Sequence, residues 1–204
     1  MRIVLFTQRV EVVESYGERR DCADQQIAAF VRACGYLPVA VPNDADTAEE
    51  LFHAMKQAGL AGILLTGGNS LVPYGGNAPE RDEAEERLIS LAVENRTPVY
   101  GFCRGMQMIL HHFGNMLVQV TGHVAVRHAV SGDEEPWEVN SYHNQACVEL
   151  TSPELIAVMR TADGVIEKIR HKELPIVATM WHPEREKPFT ERDINAVRSL
   201  FGNG

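Results

Sequence analysis

The sequence predicts an α/β fold: a mostly parallel central sheet with helices on both faces and a small antiparallel extension. Two observations carry this. Through the first half of the chain, short β-rich runs alternate with helical patterns of roughly 10 to 15 residues, and such crossovers imply parallel strands in a sheet covered on both sides. From about Gly114 onward, short strand-like pieces follow one another with turns between, which suits antiparallel pairing.

Taken in order, "RIVLFT" (residues 2–7) reads as a buried first strand. In residues 21–34 the apolar positions Ala23, Ile27, Phe30, Val31 and Cys34 recur at helical spacing, and Gly35 follows as a stop. "LPVAVP" (37–42) is a second strand. Residues 47–58 are helical, with Thr47 as cap and Glu50 three positions on, the capping-box pattern. "AGILLTGG" (61–68) is a third strand that ends in two glycines. Residues 83–94 are helical, "TPVYGF" (97–102) is a fourth strand, and the stretch after Cys103 is a helix through Phe113. The antiparallel pieces are "CVEL" (147–150), "LIAVMRT" (155–161), "GVIEKIRH" (164–171) and "IVATMW" (176–181). A last helix (191–201) carries Ile194, Val197 and Phe201 on one face. No internal repeat, low-complexity tract or linker interrupts this order, so residues 1–204 are expected to form one domain.

Composition narrows the class. The chain has 204 residues, 45% hydrophobic and 23% charged, which suits one well-buried core. With a net charge of −9 and no Lys/Arg cluster longer than a pair, it lacks the concentrated basic face that a nucleic acid requires. The apolar run in "MRIVLFTQRV" is too short for an export signal or a membrane span. The four cysteines show no CxxC or Cys–His metal spacing, so they are read as reduced thiols in the cytoplasm. His111 and His112 are adjacent on a helix and face different directions. His123 and His128 lie in a loop-like stretch without carboxylates at ligand spacing, and Asp133 to Glu135 read as a solvated loop. "TGGNSLVPYGG" lacks the Lys and Ser/Thr of a phosphate loop. No metal and no nucleotide cofactor are expected.

The chemistry concentrates in "PVYGFCRGMQMIL". Gly101, Cys103 and Gly105 form Gly-x-Cys-x-Gly at a strand-to-helix turn, a thiol version of the nucleophile elbow. Such a turn projects its central residue out of the sheet, and the helix starting at Arg104 aims free N–H groups at the sulfur, favouring thiolate. An inert cysteine in a Gly-flanked turn fits the same text. A thiol nucleophile needs a base, and "IVATMWHPE" places His182 just past another strand. Carboxyl ends of parallel strands share one edge, so His182 can stand beside Cys103, with Glu184 orienting the imidazole. A solvated His-Pro-Glu turn is the bland alternative; the two motifs reinforce each other. The developing oxyanion needs donors: the backbone N–H of Arg104 supplies one, and Gly68, in a Gly67–Gly68 turn at the same edge, is assigned the second.

GFCRGMQ around Cys103, GGN at Gly67 to Asn69 and WHPE at Trp181 to Glu184 resemble class I glutamine amidotransferase domains in order and separation, over nearly the whole chain. "VNSYHNQ" (139–145) and the Arg81–Asp82 pair resemble a narrower branch, the γ-glutamyl hydrolases related to γ-glutamyl-γ-aminobutyrate hydrolase. The resemblance implies a flavodoxin-like sheet and a Cys103–His182–Glu184 triad. It also implies substrate contacts from Gly67, Asn69, Arg81, Asp82, Gln107 and the Ser141–Tyr142–His143 segment, the last two cradling the ends of a γ-glutamyl group. The chain ends twenty residues after Glu184, so no fused synthetase is expected; a separate synthase partner or a homo-oligomer remains open. More loosely, "TQRVEVVESYGERRD" resembles a subgroup that hydrolyses a γ-glutamyl-CDP-amidate in capsule phosphoramidate synthesis. There Arg19 and Arg20 would face a pyrophosphate, for which bidentate guanidiniums are suited; a solvated approach to the next helix is the other reading. The expectation is a cysteine amidohydrolase that passes through a γ-glutamyl thioester.

Overall fold

A computed structural model describes residues 1–202; Asn203 and Gly204, the last two of the expected 1–204 domain, lie outside the described residues. The chain runs β1 (Ile3–Phe6), β2 (Arg9–Val13), β3 (Glu18–Cys22), α1 (Gln25–Ala33), β4 (Leu37–Ala40), α2 (Ala45–Ala58), β5 (Leu60–Leu65), α3 (Pro79–Asn95), β6 (Val99–Phe102) and α4 (Arg104–His112). It continues with β7 (Val118–Gln119), β8 (Val124–Gly132), β9 (Trp137–Tyr142), β10 (Gln145–Ala146), β11 (Leu155–Arg160), β12 (Ile166–His171), β13 (Ile176–Thr179) and α5 (Glu191–Gly202).

A nine-stranded sheet has the order β4-β1-β5-β6-β13-β12-β11-β8-β9. The first five strands pair in parallel, and from β13 onward every ladder is antiparallel. The flavodoxin-like parallel half follows from its apolar runs: β1 and β6 are buried along their full length, as strands sandwiched between helices must be. Side chains alternate between two cores. Leu5, Ile63, Leu65 and Val99 meet Phe52 of α2, Leu88 of α3 and Ile109 of α4. Val4, Phe6, Leu64, Tyr100 and Phe102 meet Phe30 of α1 and Phe201 of α5 on the other face. Among the described residues no helix is long and apolar enough to cross a membrane.

The structure differs from the pattern reading mainly at polar elements. The head "TQRVEVVESYGERRD" folds into the β2–β3 hairpin, so α1 starts at Gln25, capped by the Asp24 carboxylate on Gln26 N–H (2.9 Å), and not at residue 21. Only Val10 of that hairpin is buried, so no apolar alternation announces it. The second helix is capped by Asp44, which accepts from Thr47 N–H at 2.8 Å, moving its start upstream of Thr47. The third begins at Pro79, with Glu80 and Asp82 in a first turn that favours both Pro and acids. Residues 147–150 form no strand; the short β10 just before them pairs with β7. The stretch around His123 and His128, expected as loop, instead leads into and forms β8, which pairs with β9.

Candidate active site

β6 lies between β5 and β13, with Gly101 opposite Leu65 and Phe102 opposite Thr179. The residues that follow these three strands therefore leave the sheet at one rim. Cys103 comes first, at φ 52° and ψ −109°, a conformation that costs a non-glycine residue about 1–3 kcal/mol. Its N–H donates to Thr179 O at 2.8 Å, tying the corner to β13. The flanking glycines are required by contact: a Cβ on Gly105 would lie 2.1 Å from Leu65 O, and one on Gly101 2.8 Å from Ile109 Cδ1. The elbow predicted from Gly-x-Cys-x-Gly is present in backbone geometry.

His182 stands three residues beyond Thr179. Its Nδ1 lies 2.7 Å from Glu184 Oε1, with both side chains buried, which leaves Nε2 for the Cys103 sulfur, the ring's other side-chain partner. Asn140 holds the backbone of His182 from both sides: Asn140 Nδ2 donates to His182 O at 2.9 Å, and His182 N–H donates to Asn140 Oδ1 at 2.9 Å. Burial alone would push this imidazole down; the Cys103 sulfur beside it, chiefly by its charge, and Glu184 overcome that and raise it to about 9. The ring packs on Phe102 and Tyr142, each with centroids 5.6 Å away. A Cβ on Gly67 would lie 2.7 Å from His182 Cε1, so the glycine is what lets the imidazole rest on this loop. Thus Cys103, His182, Glu184 and Gly67 converge on one rim.

Gly68, at φ +124°, completes the loop. Behind it Arg81, fully buried, donates through Nη2 to Thr66 O (2.8 Å) and Gly67 O (3.0 Å) and through Nε to Glu85 Oε1 (3.0 Å). The Arg104 side chain pairs with Glu85 and Asp82, and Asp82 Oδ2 accepts Val72 N–H at 2.8 Å. Burial first, and then the like charge of Arg104, lower Arg81 to about 10 against the pull of Glu85. Burial would raise Glu85, but the guanidiniums of Arg104 and Arg81 win and hold it below the usual carboxylate range. Asn69 uses both ends of its amide on the Val10 backbone, at 2.8 Å each, fastening the hairpin to the loop. The side chains of Asn69, Arg81 and Asp82, expected at the substrate, are turned to partners in the hairpin, the loops, α3 and α4.

The remaining expected contacts divide. Gln107 donates to Gln145 O at 2.9 Å. Ser141 is fully buried and its hydroxyl donates to His123 O at 2.7 Å; His143 is buried against Glu167. Tyr142 is half exposed, beside His182, with the Arg185 guanidinium 4.3 Å over its ring. Arg19 pairs with Glu80 and Arg20 with Glu18 on the exposed hairpin, and neither lines the crevice beside His182. That crevice is bordered by Arg9, Gly68, Phe102, His182 and Arg185. Sequence reasoning missed Asn140, Glu85 and Arg9. The Arg81–Glu85 spacing of four on a helix signals a side-chain pair, and Asn140 sits inside "VNSYHNQ"; nothing in the sequence singles out Arg9.

Comparison with known proteins places the chain in a family. The profile of the family described as glutamine amidotransferase class-I matches residues 20–196. The γ-glutamyl-CDP-amidate hydrolase of Campylobacter jejuni is 31% identical over 188 residues, 89% of each chain. The γ-glutamyl-γ-aminobutyrate hydrolase of Escherichia coli O157:H7 is 28% identical over 200 residues, 79% of this chain and 77% of that one. A solved structure from Thermoplasma acidophilum, described as one subunit of a GMP synthase, superposes with a TM-score of 0.73 at 22% identity, covering 99% of this chain and 94% of the other. The protein belongs to the class-I glutamine amidotransferase family, and γ-glutamyl hydrolases are among its relatives.

Proposed function

We propose that the protein is a cysteine amidohydrolase that cleaves a γ-glutamyl amide to glutamate and an amine. The observation that carries this is the strained Cys103 corner beside the buried His182–Glu184 pair. The Cys103 thiolate attacks the γ-carbonyl carbon, and the new oxyanion takes hydrogen bonds from the N–H groups of Gly68 and Arg104. His182, held as imidazolium by its neighbours, protonates the departing nitrogen as the C–N bond breaks. The resulting γ-glutamyl thioester is opened by water, whose proton passes to His182, and glutamate leaves with the thiolate restored. Arg81, Asp82 and Asn69 act as positioning residues that shape the Gly67–Gly68 loop. Gln107 and the backbone of the Ser141–Tyr142–His143 segment receive the α-amino and α-carboxylate ends.

For the leaving group, a nucleotide amidate is favoured. The Campylobacter jejuni relative is named for such a substrate and matches over most of both chains; Arg9, paired with Glu11, and Arg185, 3.7 Å from Glu184, border the crevice. Mass spectrometry of a panel (glutamine, γ-glutamyl-aminobutyrate, γ-glutamyl nucleotide amidates, polyglutamates) tests this. Glutamate released fastest from the nucleotide amidate supports the full reading. Release from another γ-glutamyl amine keeps the hydrolase and removes the nucleotide. Release from glutamine only after a synthase is added would replace both with a component that supplies ammonia.

A further inference from the structure

Away from the thiol, three histidines and a glutamate that are scattered in sequence meet at the open end of the β8–β9 hairpin. His123 precedes β8, His128 lies on it, His143 follows β9, and Glu167 arrives from β12. His123, His143 and Glu167 are buried, and their ligand atoms lie within 4.8 Å of one another. Glu167 Oε1 is 3.1 Å from His143 Nε2, 3.3 Å from His128 Nε2 and 3.7 Å from His123 Nδ1. Spacing along the chain shows no carboxylate for these histidines; the fold supplies it.

We propose that this cluster is a site for one divalent transition metal of the zinc class, held by His123, His143 and Glu167, with His128 Nε2, 3.3 Å from Glu167 Oε1, at hand as a fourth ligand. Bonds of about 2.0–2.1 Å to a tetrahedral ion set ligand atoms about 3.3 Å apart; the three separations from Glu167 Oε1 bracket that value, and the ligand atoms of His123 and His143 lie within 4.8 Å of each other. Imidazoles with one carboxylate suit zinc, cobalt or nickel better than magnesium or calcium. His123 presents Nδ1 because its Nε2 is hydrogen-bonded to Asp163 Oδ2 at 2.9 Å, the carboxylate–histidine pairing that commonly stands behind a metal ligand. Glu167 is fully buried, and among the described residues no Lys or Arg pairs with it. His123 Nδ1 and Glu167 Oε2 have no hydrogen-bond partner among the described residues, an expensive arrangement for buried polar atoms that a cation resolves. The ion would brace the β8–β9 hairpin, because His143 adjoins Tyr142, which packs on His182, and Asn140 of the same strand holds the His182 backbone. The site stands independently of the proposed hydrolase activity.

The test uses full-length protein with Cys103 alkylated, so that its thiolate cannot bind metal, stripped with chelator and titrated with Co²⁺. Saturable visible bands of four-coordinate intensity at one equivalent, bleached by Zn²⁺, together with a zinc-dependent rise in melting temperature, are expected. Glu167→Gln and His128→Gln should lose the bands, Asp163→Asn should weaken binding about 10–100-fold, and the double substitution His111→Gln, His112→Gln should leave binding unchanged. Should Glu167→Gln fail to fold, the partly exposed His128 gives the second reading. Absence of saturable bands and of any zinc-dependent melting shift in the alkylated wild-type protein overturns the site. So does undiminished binding in both ligand variants.

Discussion

Cys103 is held at φ 52° by a hydrogen bond to Thr179 and by two glycines that admit the backbone of β5 and α4, so its strain is supported from both neighbouring elements. Beside it, His182 is raised to about 9. Its folded value lies above the ordinary 6.5, so the charged ring is favoured below that range and lost as pH rises through about 9. The proposed general acid is this charged ring. Accordingly kcat/KM for glutamate release should fall above about pH 9. Glu184→Gln removes a group that raises the ring and should move that limb to lower pH while slowing turnover on the order of 10²–10⁴-fold. A pH–rate profile of both proteins checks this; an alkaline limb unmoved by Glu184→Gln would remove Glu184 from its role. The Cys, His and Glu are all legible in sequence, because Gly-x-Cys-x-Gly and His-Pro-Glu each follow an apolar strand. Asn140 is not, since a backbone clamp leaves no spacing signature.

At the scale of elements, the site is the meeting of three strand ends, and the packing there is close. Gly105→Ala would drive a methyl into Leu65 O, at 2.1 Å without relaxation. Over-packing of this kind costs about 1–3 kcal/mol, and it would displace the α4 N-terminus, where the proposed oxyanion donor lies. Lower stability by denaturant unfolding and a larger loss in kcat than in KM are expected; wild-type stability and kcat would show that the elbow tolerates the shift. The strands and helices that build this rim were readable because each buries apolar positions at a fixed period. The β2–β3 hairpin and most of β8 are exposed, so their pairing comes from tertiary contacts such as Asn69 with Val10, which no local pattern encodes.

For the whole molecule, the Arg81–Glu85–Arg104–Asp82 network joins α3 to α4 beneath the Gly67–Gly68 loop. It couples the fold's stability to the site. Glu85 is held below its ordinary 4.5, so its contribution is complete above that pH and is lost as pH falls through the folded value. Glu85→Gln leaves two guanidiniums without their shared carboxylate, which should cost about 3–5 kcal/mol near neutral pH. It should also shrink the difference in stability between pH 7 and pH 3; a variant with wild-type stability at both would show the network to be dispensable. The sequence also carries the two halves of the sheet, through the change in texture near Gly114. The number of antiparallel strands was hidden, because β8 is mostly exposed and β9 buries the polar Asn140 and Ser141 beside Val139, so neither shows an apolar alternation.

The most direct measurement of the central claim is the rate of glutamate release from a γ-glutamyl amide by Cys103→Ala beside the wild-type protein. The account predicts a fall on the order of 10⁴-fold or more, with the variant still folded. A Cys103→Ala protein releasing glutamate at the wild-type rate would contradict it.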